Sequence, residues 1–122
     1  MVRSLVEETA IAEVAVNAPL EKLFHYRVPP ELRGRLAQGH RVLIPFGRRT
    51  TTGVCVGFPP SAPVPELKPI REILHPECRF DAHLLELTRW IAAYYRAPWG
   101  EVLEAALPPA IRAGKRERAE RT

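Results

Sequence analysis

Residues Arg41-Val42-Leu43-Ile44-Pro45-Phe46-Gly47-Arg48-Arg49 decide how this chain folds: an apolar run of strand length ends in a glycine and two arginines. A near-continuous apolar strand is buried on both faces, and a polar tip containing glycine turns the chain back on itself. In the stretch that follows, Thr52, Val54, Val56 and Phe58 alternate with Gly53, Cys55 and Gly57, so 41–46 and 51–58 read as a hairpin. Two glycines on one face call for a bulge, tight curvature or close approach of another backbone, as where a small sheet closes into a barrel.

Upstream, residues 9–16 alternate, with Ala10, Ala12, Val14 and Val16 on one side, and read as a half-buried strand. Phe24-His25-Tyr26 opens a short aromatic strand that Pro29-Pro30 stops, and 31–39 holds a turn or one helical turn. Downstream, 59–66 is an irregular, proline-rich connection, and 67–74 reads as an edge strand because Pro69 has no N–H for a ladder. The period then changes. Asp81 is a good N-cap, Phe80 is placed to staple onto Leu85, and Leu84, Leu87, Ile91 and Tyr94 recur at helical spacing toward Ala97. A second short helix is expected over 101–107, ended by Pro108-Pro109. The fold class is therefore β-rich α+β: a small twisted β-barrel of five or six strands followed by a C-terminal helical hairpin. Residues 1–8 read as an N-terminal extension, 9–113 as one domain (barrel 9–75, helical part 80–107) and 114–122 as a charged tail.

Charge is concentrated. Residues 27–49 carry six arginines against Glu31 alone, whereas the whole chain has 18 basic and 14 acidic side chains, a net +4. A local basic excess points to a polyanion partner. Cys55 and Cys78 lie far apart without ligand spacing to histidine, which argues against a zinc site, and Cys55 reads as a core residue. His40, His75 and His83 read as surface or cap-region residues, and Tyr94, Tyr95 and Trp90 as aromatics that close the helices onto the sheet. No apolar run approaches membrane length and no signal-peptide core opens the chain, so the expected compartment is the cytoplasm. Neither a phosphate-binding Gly-x-x-x-x-Gly-Lys-Ser/Thr nor a Gly-x-Ser-x-Gly elbow occurs, so no catalytic residue is assigned.

Several stretches together resemble a known family. Leu20-Glu21-Lys22-Leu23-Phe24-His25-Tyr26, Gly39-His40-Arg41-Val42-Leu43-Ile44-Pro45-Phe46-Gly47, Glu66-Leu67-Lys68, Ala92-Ala93-Tyr94-Tyr95, Gly100-Glu101-Val102 and Leu107-Pro108 follow one another as in the N-terminal domain of primosomal protein N-prime, the PriA replication-restart helicase. The resemblance covers about residues 10–113. It implies a DNA-binding module of the nucleoid-associated cytoplasm that recognises the 3′ end of the nascent leading strand at stalled or repaired forks and positions a helicase. A 3′-end pocket is implied at Phe24, His25, Gly47 and Lys68, with Arg41, Arg48 and Arg49 binding phosphates. Forked or 3′-recessed DNA is the implied partner, with single-strand binding protein and other primosome proteins beside it. No cofactor is expected in this chain; the family's ATP-dependent motor and zinc-binding segment would lie downstream. One departure is visible: where the family has Phe-Asp-Tyr, this chain has Phe24-His25-Tyr26. The competing expectations are a barrel that docks replication proteins through its 67–74 edge and aromatic helix, and a barrel that binds RNA or duplex without regard to ends.

Overall fold

In the computed structural model, the described residues are 10–64, 66–108 and 111; the extension at 1–8 and the tail at 114–122 lie outside them. Five antiparallel strands, β1 (Ile11–Val16), β2 (Phe24–Arg27), β3 (His40–Phe46), β4 (Arg49–Gly57) and β5 (Glu72–Arg79), form one sheet in the order β2-β1-β4-β3-β5. Among the described residues two α-helices follow the sheet, α1 (Ala82–Tyr95) and α2 (Trp99–Ala105). The α+β class and the β3–β4 hairpin are as expected. So is the irregularity opposite the glycines, where the β1–β4 register shifts between Glu13, paired with Gly57, and Val14, paired with Cys55.

Alternation along the strands divides the apolar residues into two cores. Ala12, Val14, Val16, Val42, Ile44 and Cys55 join Tyr26, Val28 and Ile70 on the face away from the helices. Ala15 and Val54 join Phe80, Leu85 and Leu103 on the helical face. Cys55 is fully buried and, like the exposed Cys78, is a free thiol. The helix boundaries have local causes. Asp81 accepts a hydrogen bond from the Leu84 N–H (2.8 Å), Arg96 closes α1 in the left-handed region, and Pro98 at the N-cap starts α2 two residues earlier than the sequence suggested. At Gly100 a Cβ would collide with the carbonyl of Val16, so only glycine lets α2 lie so close to β1.

Three expectations are corrected. The sheet does not close into a barrel. β2 has only four residues, and the 67–74 segment contributes a single bridge to it, between Arg27 and Pro69. Lacking an N–H, Pro69 cannot continue that ladder, so regular pairing resumes only at Glu72 in β5. His40 is not a surface residue but buried: its Nδ1 accepts from the Ala37 N–H (2.9 Å), which leaves Nε2–H to donate to the Pro76 carbonyl (2.9 Å). That bond ties down the four residues, 75–78, that bulge from β5 between its pairings with Arg41 and His40. Finally, Trp90, Tyr94 and Tyr95 do not close the core; they are 62%, 67% and 71% exposed, with Trp90 stacked on Tyr94 at 5.3 Å.

Arg41 of β3 donates from Nη2 to Glu104 Oε2 (2.8 Å) and from Nε to Oε1 (3.3 Å), while the Thr52 hydroxyl donates to the same carboxylate (3.4 Å). With Arg41 almost wholly buried, removing its counter-charge strands a desolvated cation. Glu104→Ala is expected to cost about 3–5 kcal/mol in urea unfolding. The double replacement Arg41→Met with Glu104→Leu is expected to recover most of that loss; a single-mutant cost below about 1 kcal/mol would show the pair to be dispensable.

Candidate nucleic-acid interface

β2 is two-sided. Tyr26 points into the core, where its hydroxyl donates to the Pro45 carbonyl of β3 (2.8 Å) and burial pushes its pKa up to about 12. Phe24, two residues earlier on the same face, stops at the rim of that core and meets Phe46 edge-on, with ring centroids 5.1 Å apart. The Lys22 ammonium lies 5.2 Å from the Phe24 ring centroid, a cation held over an aromatic face. His25 faces the other way along the strand. Its Nε2 is 3.5 Å from Oε2 of Glu13, the residue directly opposite it on β1.

The β3–β4 turn has two residues, Gly47 and Arg48, with φ +64° at Gly47 and no positive φ at Arg48, the requirement of a type II′ turn. The turn exposes the Gly47 carbonyl, and Lys68 Nζ reaches it at 3.5 Å. Phe24, His25, Gly47 and Lys68, drawn from three separate segments, therefore border one shallow pocket of about 250 Å³, together with Phe46 and Glu66.

Of the three arginines expected to bind phosphate, Arg48 and Arg49 are exposed at the hairpin tip beside this pocket. Arg41 is corrected: it is 3% exposed and engaged by Glu104, so its guanidinium cannot meet a phosphate without breaking the sheet-to-helix contact. Sequence reasoning missed Lys22, Phe46 and Glu13. Lys22 and Phe46 belong to the quoted motifs but show their role only when β2 and β3 are brought side by side. Glu13 is visible in sequence only as a polar position in an alternating strand. No cluster of metal-ligating side chains occurs among the described residues.

An open antiparallel sheet that ends in an aromatic-walled pocket rimmed by exposed cations has the equipment of a nucleic-acid-binding module. Residues 13–108 match the family described as the 3′ DNA-binding domain (3′BD) of PriA, and the chain belongs to that family. It is 38% identical over 107 residues to the replication restart protein PriA of Haemophilus influenzae, a match that covers 86% of this chain and 14% of that protein. Similarity extends to the protein of the same name from Treponema pallidum, 35% identical over 112 residues (87% of this chain, 16% of the relative), and from Bacillus subtilis, 26% over 107 residues (84% and 13%). The chain thus spans 13–16% of the length of these relatives.

Tyr26 and Cys55 give the fold a measurable alkaline limit, since burial raises both side chains to about 12 from ordinary values of 10.0 and 9.0. A raised folded-state pKa means stability that is complete below the unfolded value and lost as pH climbs toward the folded one. The contribution of these two groups to the unfolding free energy is expected to be level below pH 9 and to fall between pH 9 and 12, at up to about 1.4 kcal/mol per pH unit for each group. Tyr26→Phe should remove the part that begins at pH 10, read by urea unfolding across the range.

Proposed function

We propose that this chain recognises the 3′-terminal nucleotide of the nascent leading strand at a stalled or repaired replication fork and thereby positions a helicase. The observation that supports this reading best is the convergence of Phe24, Gly47 and Lys68 on one pocket of about 250 Å³. The half-buried Phe24 ring offers a face for a base or ribose, worth about 1–3 kcal/mol in single-strand binders. With no Cβ at Gly47, a sugar comes close to the turn backbone. Lys68, exposed beside it, neutralises the adjoining phosphate, which makes affinity fall with salt. The task is positioning, not chemistry. The ATP-dependent motor and the zinc-binding segment belong to parts of the relatives outside this chain, and the setting is the nucleoid-associated cytoplasm. No helix among the described residues is long and apolar enough to cross a membrane.

His25 in place of the family's aspartate bears on what the pocket accepts. A carboxylate accepts a hydrogen bond from a terminal 3′-hydroxyl and repels a terminal phosphate; a neutral imidazole still accepts one hydrogen bond, whereas a protonated one only donates and attracts phosphate. Selectivity against a 3′-phosphate is therefore expected to be weak here, within about tenfold of the 3′-hydroxyl affinity. Rejection by several orders of magnitude would refute this role for His25.

A second reading is favoured by the exposed Trp90, Tyr94 and Tyr95 on α1: contact with replication partners, among them single-strand binding protein, through an apolar surface. Fluorescence anisotropy with a labelled recessed-end DNA separates the two. A preference for a free over a blocked 3′ end, with Phe24→Ala lowering affinity about 5- to 100-fold and Lys68→Ala lowering both affinity and salt slope, is expected. Equal affinity for both ends would leave only an end-indifferent binder. No binding at low salt would favour the protein-docking reading.

A further inference from the structure

Beside the terminal-nucleotide pocket lies a larger cleft of about 770 Å³ whose walls include Arg27, Glu31, Pro45, Gly47, Lys68 and Arg71. Pro45, Gly47 and Lys68 border both depressions, so the pocket opens into the cleft across the Gly47 turn. Gly47 contributes no side chain at this saddle, and nothing stands within 4 Å of where its Cβ would be.

We infer that the cleft holds the sugar-phosphate backbone of the single strand immediately preceding the terminal nucleotide, with Arg27, Lys68 and Arg71 as its phosphate contacts. This rests on the terminal-nucleotide reading of the neighbouring pocket. Three cations face one carboxylate, Glu31, in the cleft, and Arg27, Lys68 and Arg71 are all exposed. Their positions are fixed by backbone bonds. The Arg27 N–H donates to the Lys68 carbonyl (2.9 Å), the Ile70 N–H to the Arg27 carbonyl (3.0 Å), and the Arg71 N–H to the Leu43 carbonyl (2.8 Å). The rest of the lining is poor in other donors, because Pro29, Pro30, Pro45 and Pro69 have no N–H. An anion in this cleft is therefore held by the three side chains, as point charges and guanidinium forks on phosphate oxygens. Such contacts bind any base sequence and release counterions. The cleft thus recognises a strand and the pocket recognises its end.

The test uses the whole chain and a labelled hexadeoxynucleotide with a free or a blocked 3′ end, titrated over a salt series. Arg27→Gln with Arg71→Gln is expected to weaken binding of both oligonucleotides at least about tenfold at low salt and to reduce the slope of log K against log salt by about 1.4, the single-strand value for two phosphate contacts. The ratio between free and blocked ends should stay as in the parent chain. Arg27→Lys with Arg71→Lys, which keeps the charge, should retain the slope. Both side chains are exposed, and an unchanged thermal midpoint confirms folding. A slope and affinity unaltered by the glutamines would overturn the cleft assignment whatever the end preference. A slope effect in a parent chain that does not distinguish the two ends would overturn the terminal-nucleotide reading alone and leave a phosphate groove.

Discussion

The structure hangs on one buried ion pair, Arg41 with Glu104. Its side chains are 4% and 16% exposed, and it joins the middle of the sheet to α2 across 63 residues of sequence. Buried pairs of this kind seldom add much stability over an apolar pair of the same size; what they add is a penalty for every arrangement that separates them. Here that penalty selects the placement of α2. A helix docked elsewhere on the sheet leaves a desolvated guanidinium beside Thr52 and Val54. With α2 fixed over β1 and β4, α1 follows through the short Arg96–Pro98 connection, and Leu85, Leu103 and Phe80 complete the helical core. The opposite face then builds its own core around Val14, Val42 and Ile44, and its rim, not its centre, is left for binding.

Most elements were legible because their signals are local. Period-two alternation marked β1 and β4, Asp81 marked the start of α1, and the Gly47-Arg48 turn marked the hairpin. The misreadings share a different property. Arg41 looked like one charge among six in a basic stretch, and nothing within that stretch announces an acid 63 residues on. Trp90, Tyr94 and Tyr95 looked like core because α1 is apolar over much of its circumference. Its buried stripe is Leu85, Thr88 and Ala92, and Thr88 earns its place by donating to carbonyls of its own helix and accepting from the Trp99 indole (3.0 Å). β5 was displaced by five residues because Pro69 sets where pairing cannot continue, but not where it resumes.

A count of charges along the chain is also a poor map of a surface. Of the six arginines in 27–49, Arg41 is consumed by the core and Arg33 donates from Nε to the Val28 carbonyl (3.0 Å), closing the turn after β2. Arg27, Arg48 and Arg49 stay exposed near the pocket, and they are joined there by Lys68 and Arg71 from a segment that carries no basic excess of its own. The polyanion signal was right in sign because folding replaced the lost cations with others of equal charge. Those replacements come from the connection between β4 and β5, residues 58–71, whose tertiary position no short-range pattern specifies.

That connection explains why the binding features gather where they do. A closed barrel would have paired β2 directly with its neighbour and left no room between them. Because β2 is cut short by Pro29-Pro30 and Pro69 allows only one bridge, the gap beyond β2 is spanned by a strap of chain whose few hydrogen bonds run to Arg27 on one side and Leu43 on the other. An unpaired edge is ordinarily a liability that invites another strand. Here prolines remove the donors that a strand would need, and lysine and arginine occupy the opening. An extended partner is therefore met by cations instead of by a β-ladder, and the chain best suited to that meeting is one whose own backbone carries negative charge. The incomplete sheet and the basic strap are thus a single feature: the failure to close makes the opening, and the residues that prevent closure determine what can enter it.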